Sequence, residues 1–146
     1  MHRRVSLLFL VAALPAFFTL ACASGGGNSR PPGIAAPEIR AEIAGSVFFG
    51  SGNTAPANVD VYVTNPASVP IVLRRAQVDS PGMATYTLVR STRDVRQTIA
   101  PGATERVTVF STAVTEVRNP SEPLTIRVIA DFEVGKDRWR EISMTR

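Results

Sequence analysis

The sequence predicts an all-β domain, an immunoglobulin/fibronectin-like antiparallel β-sandwich of seven or eight strands, placed after a signal peptide and a flexible linker. Three observations predict it. The hydrophobic period from Glu38 onward is two, with Val59, Val61 and Val63 alternating with Asp60, Tyr62 and Thr64. Turn-forming pairs recur between such segments, and no segment carries the apolar spacing of a helix. The 146 residues, once a leader and a linker are set aside, leave roughly 110 for a single core.

The elements follow in order. The basic start His2-Arg3-Arg4 leads into an apolar run from Val5 to Leu20 that contains Pro15. That run is shorter than the roughly 20 apolar residues of a spanning helix, so residues 1–21 are expected to be an export signal. Residues 22–37, rich in Gly, Ser and Pro, read as a tether in which glycine and serine bring flexibility and proline extension. A phosphate-cradling loop at Gly25–Gly27 would need a preceding strand and a following lysine, and has neither.

The domain is expected over residues 38–146. Besides Val59–Val63, alternation marks Leu124–Glu133, and further strands are expected at Ile39–Phe49, Pro70–Val78, Ala84–Val89, Asp94–Ile99, Glu105–Phe110 and Arg138–Met144. Their separators are Gly50-Ser51-Gly52-Asn53, Asn65-Pro66, Ser80-Pro81-Gly82, Pro101-Gly102, Asn119-Pro120 and Gly135-Lys136-Asp137. The expected core comprises Val59, Val61, Val63, Val107, Val109, Leu124, Ile126, Val128 and Phe132.

Two resemblances add to this reading. The segment Thr19-Leu20-Ala21-Cys22 resembles the lipobox of bacterial lipoproteins, although Thr19 and Leu20 depart from the family's usual residues. The resemblance implies lipidation of Cys22, cleavage before it, and a membrane partner reached through that lipid. Ala23, where many inner-membrane lipoproteins carry aspartate, implies the outer membrane in a Gram-negative cell. Cleavage after Ala21-Cys22-Ala23, an A-x-A site, is the alternative and would release a soluble chain. The strand ending in Asn65-Pro66, the Val69-Pro70-Ile71 start of the next, and Ile99, Gly102, Val107 and Val109 are similar to the late-embryogenesis-abundant group-two domain over about Ala57–Phe110. That family is non-enzymatic, so the resemblance implies no catalytic residues and no cofactor.

Chemistry is bounded by what the chain contains. The only histidine is His2 and the only cysteine is Cys22, so a chain cleaved before Cys22 has no histidine to serve as base and no thiol but the anchor. No metal site is expected, because most zinc sites need Cys or His. Asp131, Glu133, Asp137 and Glu141 remain as an acid set for calcium or glycoside chemistry, or as cross-strand partners of Arg138 and Arg140. Formal net charge is +4, and removal of Arg3 and Arg4 leaves +2. Arg74, Arg75, Arg90, Arg93, Arg96 and Arg106 cluster mid-chain, as a solvated face or as a site for an anionic partner such as lipid headgroups or cell-wall polymer, and the lack of interleaved aromatics speaks against a nucleic-acid platform.

Adjacent strand residues point to opposite faces, so Arg74-Arg75 requires a bulge, an edge or an arginine directed at the core. Pro70–Val78 is expected to be an edge strand that accepts a partner strand, with Arg74 and Arg75 as partner-binding residues. Trp139, between Arg138 and Arg140, is either a partner-binding aromatic or the lid of a core. The expected function is a non-catalytic interaction or structural module of an envelope lipoprotein, with another envelope protein as partner. A glycan or small-ligand binder using Tyr62, Tyr86, Trp139 or Phe48 is the alternative, and a carboxylate-dependent hydrolase is the third reading.

Overall fold

The computed structural model describes residues 29–82, 84–115 and 123–146. The expected export segment, Cys22, the first part of the expected tether and the Asn119-Pro120 separator lie outside the described residues. The domain is an all-β sandwich of eight strands with no helix among the described residues. In chain order these are β1 (Glu38–Ile43), β2 (Thr54–Thr64), β3 (Ile71–Asp79), β4 (Thr87–Leu88), β5 (Ser91–Ile99), β6 (Thr104–Val114), β7 (Ile126–Val134) and β8 (Asp137–Thr145).

One sheet runs β1-β2-β6-β4 and the other β5-β3-β7-β8, with every pairing antiparallel. β1-β2-β6 facing β3-β7-β8 reproduces the A-B-E and C-F-G groupings of immunoglobulin-like sandwiches. The two inner faces meet in one core. Val59, Val61, Val63, Ile71, Leu73, Val78, Ile99, Val109, Val128 and Phe132 are all fully buried there. Leu124, expected in the core, lies just before β7 and is only partly buried against it.

Two turns follow their residues closely. Gly135-Lys136 joins Val134 to its partner Asp137, and Gly135 takes the positive φ (60°) that a type II′ hairpin requires at its first position. Pro101-Gly102 makes a type II turn, with Gly102 at φ 73° and the Ala103 amide bonding the Ala100 carbonyl at 3.0 Å.

Asn65, at the end of β2, is completely buried and holds the neighbouring connections together. Its Nδ2 donates to the carbonyls of Val69 (2.9 Å) and Ile99 (3.0 Å), and its Oδ1 accepts the amide of Ala67 (3.0 Å). Its backbone amide bonds the Ala103 carbonyl (2.9 Å) and its carbonyl accepts the Gly102 amide (2.7 Å). The β2–β3 and β5–β6 connections are thereby locked at one end of the sandwich, the end at which the β7–β8 hairpin also lies.

β3 is not an edge. It is hydrogen-bonded to β5 on one side and β7 on the other, which corrects the expectation of an edge at Pro70–Val78. The irregular arginine pair has another cause, a β-bulge between Leu73 and Arg75. Leu73 pairs with Phe132 and Arg75 with Asp131, adjacent residues of β7, so Arg74 is an extra residue. The bulge turns both arginines to the outer face while Leu73 and Ala76 stay in the core. Mutual strand pairing here is internal, so no backbone of β3 is open to a docking strand.

Candidate functional site

On the outer face of β5-β3-β7-β8 the bulge produces a groove of about 520 Å³. Arg74, Arg75, Arg96, Arg138 and Arg140 line it, with Asp94 and Asp131 between them. Each side chain arrives by a definite route. β7 alternates core residues with Asp131 and Glu133 outward, and the β7–β8 register sets Arg140 opposite Asp131 and Arg138 opposite Glu133. On β5, Val95 and Arg96 together face the single Arg74, because Leu73 pairs with Gln97 and Arg75 with Asp94.

Arg96 sits at φ 66°, the one non-glycine residue with positive φ among the described residues. That left-handed conformation costs roughly 1–2 kcal/mol for an ordinary residue and is free for glycine. Arg96 is exposed and makes no ion pair among the described residues. Among the described residues, no ion pair therefore compensates for an arginine at that position.

The other arginines are tied to acids. Arg74 and Arg138 (3.0 Å) share the Glu133 carboxylate, Arg75 meets Asp94 at 2.8 Å, and Arg140 grips Asp131 with two nitrogens at 2.7 and 3.2 Å. The Glu133 carboxyl is held below its ordinary range by the hydrogen bond from Arg74, reinforced by Arg138. Arg140 and Arg75 are pushed up by their bonds to Asp131 and Asp94. Five arginines against Asp94, Asp131 and Glu133 leave the groove with a surplus of two positive charges.

Three of the four acids of that set are bonded to basic or indole groups. Asp131 and Glu133 are cross-strand partners of Arg140 and Arg138, and Glu141 is bonded by Arg30 (2.8 Å) and by the indole nitrogen of Trp139 (3.2 Å). Among the described residues, no three Asp, Glu, His or Cys side chains group as a cation site.

Trp139 is 1% exposed and stacks on Phe132, ring centroids 5.4 Å apart, on the inner side of β8. Of the two readings of Trp139, the lid of the core is the one observed, and its ring is not free to contact a partner. Arg138 and Arg140 flank it on the outer face. Tyr86 and Tyr62 are partly covered, the latter under Arg40, whose guanidinium lies 5.0 Å from the ring centre. Phe48 is open at 84% in the β1–β2 connection, and Phe110 at 69% on β6, in the sheet that does not carry the groove.

The groove thus gathers Arg74 and Arg75 with Arg96, a member of the same mid-chain basic cluster in the sequence, and with Arg138 and Arg140, which the sequence did not connect to them. Arg96 offered no local signal, since neither propensity nor spacing announces an arginine in a left-handed bulge. Arg138 and Arg140 were legible as partners of the acids, but their distance from Arg74 in space depends on β3 lying beside β7.

No family model matches the chain, and no curated protein matches it. Among solved structures the chain is similar to a protein from Archaeoglobus fulgidus, at 16% identity and TM-score 0.46, over 74% of this chain and 90% of that one. It is similar also to a FixG-related protein from Vibrio parahaemolyticus, at 13% identity and TM-score 0.38, over 74% of this chain and 93% of that one. Likenesses at these values carry no statement about activity.

Proposed function

We propose that this chain is an exported lipoprotein, anchored through Cys22, whose β-sandwich is a non-catalytic interaction module that binds an anionic component of the cell envelope in the arginine groove. The observation that carries the reading is Arg96: a strained, exposed guanidinium without an ion pair among the described residues, beside four more arginines in a groove of ligand size. Backbone strain kept where glycine would be relaxed is expected where a side chain has a task beyond folding. Guanidinium groups suit carboxylate and phosphate because they present planar, paired donors.

The non-catalytic part rests on composition and on the acids. A chain cleaved before Cys22 offers no histidine, and Asp131 and Glu133 are neutralised by arginines rather than set facing one another across a cleft. Envelope fractions passed at low salt over the immobilised chain should leave an anionic component bound, and about 0.5 M salt should release it, since screening shortens charge interactions to a few ångströms. Equal retention by an Arg96→Asn/Arg140→Gln variant would remove the groove from this reading.

A further inference from the structure

The described part of the tether does not hang free, and its course bears on what the groove meets. Arg30 bonds Glu141 at 2.8 Å, and Ser29 and Arg30 border a smaller cleft of about 230 Å³ together with Asp137 and Arg138. Ile34 packs against the core and Pro37 is buried. Arg138 lines this cleft and the arginine groove alike, so the chain leaves the domain beside the groove. Only residues 23–28 separate that point from Cys22. The seven steps from Cys22 to Ser29 span about 25 Å at most, whereas nine-residue strands make the sandwich about 30 Å long. An anchor at Cys22 therefore keeps the β7–β8 end, with Lys136 and the arginines, within about 25 Å of the membrane.

We propose that the arginine groove docks on anionic lipid headgroups of the membrane in which Cys22 is anchored, so that the lipid and the groove act as two attachments of one domain. The proposal rests on the lipoprotein reading for its geometry. Headgroup phosphates supply the acceptors that Arg96 lacks, and Arg138 and Arg74 have only a shared carboxylate between them. Each basic side chain close to an anionic surface raises partitioning about five-fold, and the effect fades within about 8 Å at physiological salt.

The test uses the full mature-length chain, residues 22–146, carrying Cys22→Ser so that no acyl chain contributes. It is sedimented with vesicles of phosphatidylcholine alone or with about 30 mol% phosphatidylglycerol, at about 50 mM salt, where charge interactions reach further. Binding to the anionic vesicles only is expected. It should fall about 25-fold in Arg96→Asn/Arg138→Gln, in which asparagine tolerates the left-handed backbone. Arg40→Gln/Arg106→Gln removes the same charge from the outer face of the other sheet and should leave binding within about two-fold. Equal loss in that control, equal binding to neutral vesicles, or unchanged binding of the groove variant would overturn the proposal. So would displacement by inorganic phosphate at matched ionic strength, which would make a free anion the ligand, or retention on acidic peptides without vesicle binding. An unlipidated native Cys22 would refute the anchor alone, because the vesicle assay does not depend on it.

Discussion

Asn65 gives the sharpest test of how the sandwich is held together. Its side chain satisfies two main-chain carbonyls and one amide in a site with no solvent exposure. Asn65→Ala removes all three partners at once. A buried polar group left without a partner costs about 1–3 kcal/mol, and water entering the vacated space offsets part of it. Taking the low end for each group, the variant should lose about 3 kcal/mol, a large share of the 5–15 kcal/mol of a typical domain. The melting temperature should drop by about 12–20 °C for a domain of this size. Asn65→Asp refines the test. Its carboxylate can still accept the Ala67 amide but faces the Val69 and Ile99 carbonyls, which disfavour the charged form. The folded pKa of that aspartate is thus raised, so its stability is greatest below the unfolded value and declines as pH rises through the folded one. The gap to wild type should narrow from pH 7 to about pH 4.5 in urea melts. A loss below about 1 kcal/mol for Asn65→Ala, or a gap that widens toward acid, would refute the reasoning.

Further expectations concern the core, the bulge and acid stability. Val128→Ala, at a position with no exposure, should cost about 1–3 kcal/mol, and Trp139→Ala about 3–5 kcal/mol, by chemical denaturation. Arg96→Gly should stabilise the fold by about 0.5–1 kcal/mol while Arg96→Ala, which keeps the strained φ, should not; equal effects would show that the strain is not there. Asp79 is buried between Arg127 (2.7 and 2.8 Å) and Arg90 (3.1 Å), and its carboxyl is held below the ordinary range chiefly by the Arg127 bonds. Its contribution is present above about pH 4 and is lost as pH falls through the depressed folded value, so Asp79→Asn should flatten the acid limb of the stability profile.

The fold was legible because each sheet has one buried face. Alternation at Val59–Val63 and Leu124–Glu133 carries that information locally, and Pro101-Gly102 and Gly135-Lys136 mark turns whose geometry their residues demand. The expected strand Ile39–Phe49 stops at Ile43, and the expected strand Ala84–Val89 shrinks to Thr87–Leu88, because ladder pairing rather than composition sets strand ends. Arg74-Arg75 announced a broken alternation correctly. Bulge and edge produce the same local break, and only the place of β3 between β5 and β7 separates them. The groove was illegible for the same reason, since it joins residues of β3, β5 and β8 that meet through long-range pairing. Asn65 read as a turn signal, whereas its buried amide network depends on the β5–β6 connection arriving beside it.

Both the anchor and the placement of the groove near a membrane turn on what happens at Cys22. The most direct measurement is the intact mass and N-terminal peptide of the protein isolated from its own envelope, together with its partition into detergent. The account predicts a chain beginning at Cys22, carrying the mass of two or three acyl chains and entering the detergent phase, with Cys22→Ala losing both. An unmodified chain beginning at Ser24 and remaining in the aqueous phase would contradict it.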